Sequence, residues 1–139
     1  DGPCADSLSR EAENLPVTFM GHIDNKQELK SVFGECDIFA MPSFKETFGL
    51  VYLEAMAQGL PVIYSKGQGF DGVFQHGVVG LAVDPTSKAD VVLAIKSIMS
   101  NWSEISGRCV ALARTLEWPR VAQSLNAVYS DLQDNGAVS

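Results

Sequence analysis

Basic residues are scarce in this chain of 139 residues: ten Lys and Arg stand against seventeen Asp and Glu, a net charge of −7, and they are scattered singly. A nucleic-acid surface needs clustered cations to displace the counterions of a phosphate backbone, so the sequence offers no footprint for that partner. Any phosphate must be held locally. Cysteine is equally sparse. Cys4, Cys36 and Cys109 are an odd number without paired metal-type spacing, which fits free thiols in a reducing, cytoplasmic compartment better than a disulfide framework. The only histidines, His22 and His76, have no partner at metal-ligand spacing, so no metal site is expected. No stretch reads as a signal peptide or a transmembrane helix, and membrane contact is expected only through parts outside this sequence. Internal repeats, linkers and low-complexity segments are also missing. The chain begins at Asp1-Gly2-Pro3 without methionine, like the turn after a strand, and is expected to be cut from a longer protein.

What is present is an ordinary globular mixture, 46% apolar and 19% charged, enough for one core over residues 1–139. Apolar runs alternate with helical periodicity. Val17 to Met20, Cys36 to Met41, Leu60 to Tyr64 and Val79 to Val83 read as strands, and Asn25 to Gly34, Phe48 to Gln58, Ser87 to Ser100, Trp102 to Arg114 and Pro119 to Gln133 as helices. Ser87 is the expected N-cap of its helix, with Asp90 three residues on. Phe70 to His76 is expected to form a short helix, Trp118 and Tyr129 to pack as core, and Asp134 to Ser139 to fray. Short strands joined by crossover helices make an α/β fold, a Rossmann-like open parallel sheet with flanking helices, whose ligands sit at the carboxyl ends of the strands. Pro42 to Thr47 and Ser65 to Gly72 follow two such ends.

The densest chemistry lies in Pro42-Ser43-Phe44-Lys45-Glu46-Thr47-Phe48-Gly49-Leu50 and the apolar helix after it. Phe48 to Gln58 is apolar on every face except at Glu54 and Gln58, and a helix apolar all round is a buried one. Glu54 is therefore expected in the interior, where a carboxylate needs a partner. Either a polyhydroxyl ligand or an internal backbone or water donor could fill that role. At the head of the helix the N–H groups of Phe48, Gly49 and Leu50 are orphan donors at the positive end of the dipole, a ready anion site, and Gly49 permits close approach. The plainer alternative is that Glu46 complements the dipole while Thr47 caps it. Lys45 and Lys66 stand beside the two ligand loops.

Gly67-Gln68-Gly69-Phe70-Asp71-Gly72 matches Gly-x-Gly-x-x-Gly after a strand. Too little chain separates it from the next strand for a full crossover helix, and Asp84 comes too soon for the ribose-binding acid of a dinucleotide fold. A loop closing over a ligand is expected instead.

Pro42-Ser43, Glu46-Thr47-Phe48-Gly49-Leu50, Glu54-Ala55-Met56-Ala57 and Gly59-x-Pro61-Val62 together resemble the C-terminal, donor-binding domain of retaining GT-B glycosyltransferases of the group 1, or family 4, type. The Glu-x7-Glu signature of that family falls on Glu46 and Glu54. Phe19-Met20-Gly21, Gly77-x-x-Gly80 and the closing Trp118 to Tyr129 extend the likeness over nearly the whole chain. The resemblance implies that Glu46 lies against the transferred sugar, as the catalytic residue. It implies further that the amides of Phe48, Gly49 and Leu50 hold sugar or phosphate oxygens, that Glu54 accepts hydrogen bonds from the ribose, and that Ser43, Thr47 and Gly69 complete the donor site. The donor would be a nucleotide diphosphate sugar, used without a metal ion or other cofactor. Two departures stand out. Gly69-Phe70-Asp71-Gly72 lacks the Glu of the usual loop, and the family's upstream Arg and Lys and its N-terminal acceptor domain have no counterpart here. The chain alone is thus expected to be inactive. The rival class is a non-catalytic Rossmann-like module that senses nucleotides or mediates interactions.

Overall fold

A computed structural model describes residues 2–136. They form two compact units, Asp1–Glu35 and Cys36–Ser139.

The first unit carries α1 (Ala5–Glu11) and α2 (Lys26–Gly34). α2 starts where the sequence places it, because the side chain of Asn25 accepts from the N–H groups of Gln27 and Glu28 at 2.8 and 3.2 Å. That satisfies two of the four orphan donors of a helix start. α1 buries none of its residues, so no apolar periodicity announces it. Val17 to Met20 does not form the expected strand. No second strand exists in residues 2–35 to take up its N–H and C=O groups, and a lone strand is not stable. Val17, Phe19 and Met20 remain half exposed.

The second unit is a three-stranded parallel sheet of β1 (Phe39–Ala40), β2 (Val62–Ser65) and β3 (Gly80–Val83), in that order. Phe39 pairs with Val62 and Ala40 with Ile63, while Val62 to Ser65 pair with Gly80 to Val83. β1 covers only part of Cys36 to Met41, with Phe39 N–H donating to Pro61 O and Met41 N–H to Ile63 O. β2 is central and buried at every position, as a parallel strand covered on both faces must be. α3 (Leu50–Ala57) is the crossover from β1 to β2, and a helix-free loop joins β2 to β3. The short helix expected at Phe70 to His76 is replaced there by turns, in which Asp71 N–H donates to Gln68 O and Val73 N–H to Phe70 O, with one isolated bridge between Asp71 and Phe74.

α4 (Lys88–Ser100) packs on β2 and β3, and α5 (Trp102–Ala113) on α3. Ser87 caps α4 as its sequence foretells: its Oγ accepts from Asp90 N–H at 3.2 Å and lies 2.8 Å from the Asp90 carboxylate. α5 also fastens the turn that feeds β3. Arg108 donates to the carbonyls of Val78 and Gly77 and pairs with Glu104 one turn earlier, and the buried Cys109 thiol donates to Val79 O at 3.3 Å. A 3-10 turn, Arg114–Leu116, leads to α6 (Trp118–Gly136). Trp118 and Tyr129 are not core residues: they are 79% and 62% exposed, with Leu125, Val128 and Leu132 on the same helix half exposed or more. α6 has the amphipathic pattern of a packed helix, but nothing among the described residues covers that face. Asp134 to Gly136 continue this helix rather than fraying, and residues 137–139 lie outside the described residues. No helix among the described residues is long and apolar enough to cross a membrane.

Candidate functional site

Beyond β1 the chain crosses the carboxyl end of the sheet before entering α3, and side chains from below tie that crossing down. The Tyr52 hydroxyl of α3 donates to Met41 O at 2.6 Å, and the buried Ser65 hydroxyl, at the end of β2, donates to Ser43 O at 2.6 Å. Burial, with the Glu46 carboxylate adding to it, pushes the Tyr52 phenol up to about 12, which keeps it a neutral donor.

Glu46 is half-buried and held on both sides by the glycine loop. Its N–H donates to Gln68 Oε1 at 3.0 Å, and its carbonyl accepts from Gly69 N–H at 3.2 Å. Only glycine fits at Gly69, because a Cβ there would lie 1.6 Å from the carbonyl oxygen of Thr47. The loop has its own anchors. Phe70 is 2% exposed, with its ring 4.6 Å from that of Tyr52 and 5.1 Å from that of Tyr64. Asp71 accepts from Gly67 N–H at 2.7 Å, and burial together with the Asp71 charge raises the Tyr64 phenol. Gly67-x-Gly69-x-x-Gly72 therefore does not open a helix, and the amide of Gly67 is taken by a carboxylate, unlike a pyrophosphate cradle.

α3 starts later than its apolar run, at Leu50, with Gly49 at the N-cap in the left-handed region, φ 73° and ψ 66°. Thr47 thus does not cap the helix, and no side chain does. A Cβ on Gly49 would lie 2.5 Å from the Tyr52 ring, so this tight entry needs glycine for space as well as for conformation. Among the described residues no protein acceptor meets the N–H groups of Phe48, Gly49 and Leu50. Of these three donors only Leu50 lies in the first turn of α3, with Gly49 at the N-cap and Phe48 before it, so two of them precede the helix rather than open it.

Glu54 departs most from expectation, being exposed rather than interior. Only the face carrying Tyr52, Ala55 and Met56 is buried. The other apolar stripe, Leu50, Leu53 and Ala57 with Glu54 among them, lines an open cavity of about 490 Å³ whose far wall includes Val110, Ala113, Trp118 and Val121. Apolar all round did not mean covered all round. The Glu54 carboxylate makes no hydrogen bond or ion pair among the described residues, so the internal-partner reading falls with its burial. No group of three or more His, Cys, Asp or Glu that could hold a metal occurs among the described residues.

The sequence model described as "Glycosyl transferases group 1" matches residues 1–115. The chain belongs to this family. It is 36% identical over 107 residues to the D-inositol 3-phosphate glycosyltransferase of Corynebacterium glutamicum, covering 75% of this chain and 26% of that protein. Sucrose-phosphate synthase from Thermosynechococcus elongatus superposes with a TM-score of 0.78 at 27% identity, over 95% of this chain and 34% of the other. Anabaena HepE in complex with UDP does so with a TM-score of 0.73 at 26% identity, over 91% and 36%. The chain spans about a quarter to a third of the length of these relatives.

In this group 1 glycosyl transferase chain the expected site residues fall into two neighbouring places. Ser43, Glu46, Thr47, Gly49 and Gly69 gather at the carboxyl end of the sheet, whereas Glu54 stands in the cavity beside α3. Phe48 and Leu50 border both, Phe48 lying 6.3 Å edge-on from Phe70 while also lining the cavity. Lys45 and Lys66 are exposed, and Lys66 helps to hold Asp84 below the usual carboxylate range, after the hydrogen bonds from Thr86. Sequence reasoning missed Tyr52, Ser65 and Gln68. Tyr52 read as part of a buried helix, Ser65 only as the first residue of the loop after its strand, and Gln68 occupied an unspecified position of a glycine motif.

Proposed function

We propose that the chain is the nucleotide-sugar-binding domain of a retaining glycosyltransferase that moves a hexose-type sugar from a nucleotide diphosphate donor to a glycan or lipid-linked acceptor. Capsule, lipopolysaccharide or another polysaccharide would be the product. The observation that carries the reading is the clamped Glu46 beside the unpartnered amides of Phe48, Gly49 and Leu50, with Glu54 exposed farther along the same helix. Helix-terminal amides stabilise negative charge, so a diphosphate at this end would be favoured both in the bound donor and as the leaving group. Glu46, held by its backbone, would face the transferred sugar. Glu54, unpaired and open to solvent, would accept hydrogen bonds from the ribose hydroxyls. The relatives named above support the donor class: one is a glycosyltransferase, another a sugar-phosphate synthase, and a third was solved with UDP.

The same proposal places the acceptor groove in an N-terminal domain outside this sequence, together with the Arg and Lys that grip the diphosphate. It holds the chain inactive alone, the reaction free of any metal requirement, and the protein cytoplasmic, which suits the exposed free thiols of Cys4 and Cys36. The test is the full-length protein with acceptor extracts and a panel of sugar nucleotides, assayed for released nucleotide diphosphate with and without EDTA. Transfer that survives EDTA and keeps the anomeric configuration is expected. No transfer or hydrolysis with any donor refutes the enzyme reading in favour of a sensing module, and an inverted product refutes retention.

A further inference from the structure

We propose that Gln68 is a positioning residue for Glu46, acting as a surrogate backbone carbonyl that sets where the Glu46 carboxylate stands. The inference rests on the proposed role of Glu46 in sugar transfer. Two segments placed side by side, residues 46–47 and 67–69, are joined by a reciprocal pair of hydrogen bonds of the kind that links paired strands. One bond is ordinary, from Gly69 N–H to Glu46 O at 3.2 Å. The other is not: Glu46 N–H finds no main-chain acceptor and donates instead to Gln68 Oε1 at 3.0 Å, a contact between residues 22 apart in sequence.

The side chain is needed because the loop turns away at that point. Gln68 O is already engaged by Asp71 N–H at 2.8 Å, and the Asp71 carboxylate draws back Gly67 N–H. The acceptor that meets Glu46 N–H comes from the Gln68 side chain, its oxygen three bonds beyond Cβ, and not from the main chain of the loop. Gln68 is itself half-buried, and the next residue but one, Phe70, is locked into the aromatic cluster. The acceptor thus comes from a rigid base. On the other side, Gly49 brings its Cα close to the Glu46 side chain, since a Cβ there would lie 3.3 Å from Glu46 Cγ. With the backbone hooked at both N–H and C=O, the direction in which the Glu46 side chain leaves the main chain is fixed.

Gln68→Met keeps length and volume but removes the oxygen, leaving a half-buried N–H without its partner. Gln68→Glu keeps an acceptor of the same reach. In the full-length protein, with its best sugar nucleotide, Gln68→Met is expected to lower kcat by about tenfold to a hundredfold with the donor KM within about twofold, because small misplacement of a reacting group costs rate before it costs binding. Gln68→Glu is expected to restore most of kcat. Glu46→Gln is expected to lower kcat further, and adding Gln68→Met to it should cost nothing more, since a residue that acts through Glu46 has no effect once that carboxylate is gone.

The outcomes separate. If Glu46→Gln keeps wild-type kcat, the reading of Glu46 fails and the positioning role fails with it. If Glu46→Gln is crippled but Gln68→Met is not, or if Gln68→Met lowers kcat by the same factor in both backgrounds, only the positioning role is overturned. A loss of melting temperature in Gln68→Met that Gln68→Glu repairs without repairing kcat also overturns it, because Gln68 then serves stability alone.

Discussion

Gly69→Ala is the most exacting perturbation of this site, because the geometry states how far things must move. The new Cβ would be placed 1.6 Å from the carbonyl oxygen of Thr47 and 2.3 Å from its carbon. Both are main-chain atoms, so no side chain can swing aside, and the two segments must part by about 1.4 Å or more before the contact becomes tolerable. Parting lengthens the 3.2 Å bond from Gly69 N–H to Glu46 O beyond hydrogen-bonding range, losing about 1 kcal/mol net. Strain in the buried Phe70 anchor adds about 1 to 3 kcal/mol, the usual cost of overpacking. A domain of this size would then melt roughly 5 to 15 °C lower. The part of that movement taken up at Glu46 also costs rate, up to about a hundredfold for a shift of about 1 Å. Thermal unfolding of wild type and Gly69→Ala, paired with donor turnover by the full-length protein, measures both effects. A variant that melts within a degree of wild type and turns over normally would show that the loop does not bear on Glu46, and the account of the clamp would fail.

Glu54→Gln should leave the melting temperature within about a degree of wild type, since an exposed side chain without partners contributes little to the fold. Nucleotide affinity, read by titration calorimetry, should drop about tenfold to a hundredfold, because a charged acceptor becomes a neutral amide; unchanged affinity would remove Glu54 from the donor site. Alkaline pH should destabilise the fold. Burial pushes the Cys109 thiol from 9.0 up to about 12 and the Tyr52 phenol from 10.0 up to about 12. Both therefore hold their protons more tightly when folded, so stability is full below pH 9 and declines as pH rises towards 12 while the unfolded chain ionises first. Urea titrations across that window check the sign, and Cys109→Ala should delay the onset to about pH 10, the ordinary value for tyrosine; stability that stays flat above pH 9 in wild type would contradict the burial of both groups.

The sequence by itself determined the class of this protein and most of what its site contains. Alternating apolar runs define the parallel sheet, Asn25 and Ser87 mark their helix starts, and the spacing of Glu46 and Glu54 around Phe48-Gly49-Leu50 carries the family likeness, because each is a local property of chain chemistry. Tertiary structure decided what lies opposite each segment. Val17 to Met20 has the composition of a strand but no partner in its unit, and the ladder, not the propensity, makes a strand. Apolarity on all sides of α3 predicted a buried Glu54, yet only one face meets the sheet, and the other opens on a cavity toward α5 and α6. Trp118 looked like core because it flanks an amphipathic helix, and it stands exposed. Thr47 looked like a cap, but the left-handed Gly49 delays the helix. Gln68 carried no local signal at all. Its acceptor matters only because a turn closed by Asp71 brings it against an amide 22 residues away, a juxtaposition no local pattern can encode.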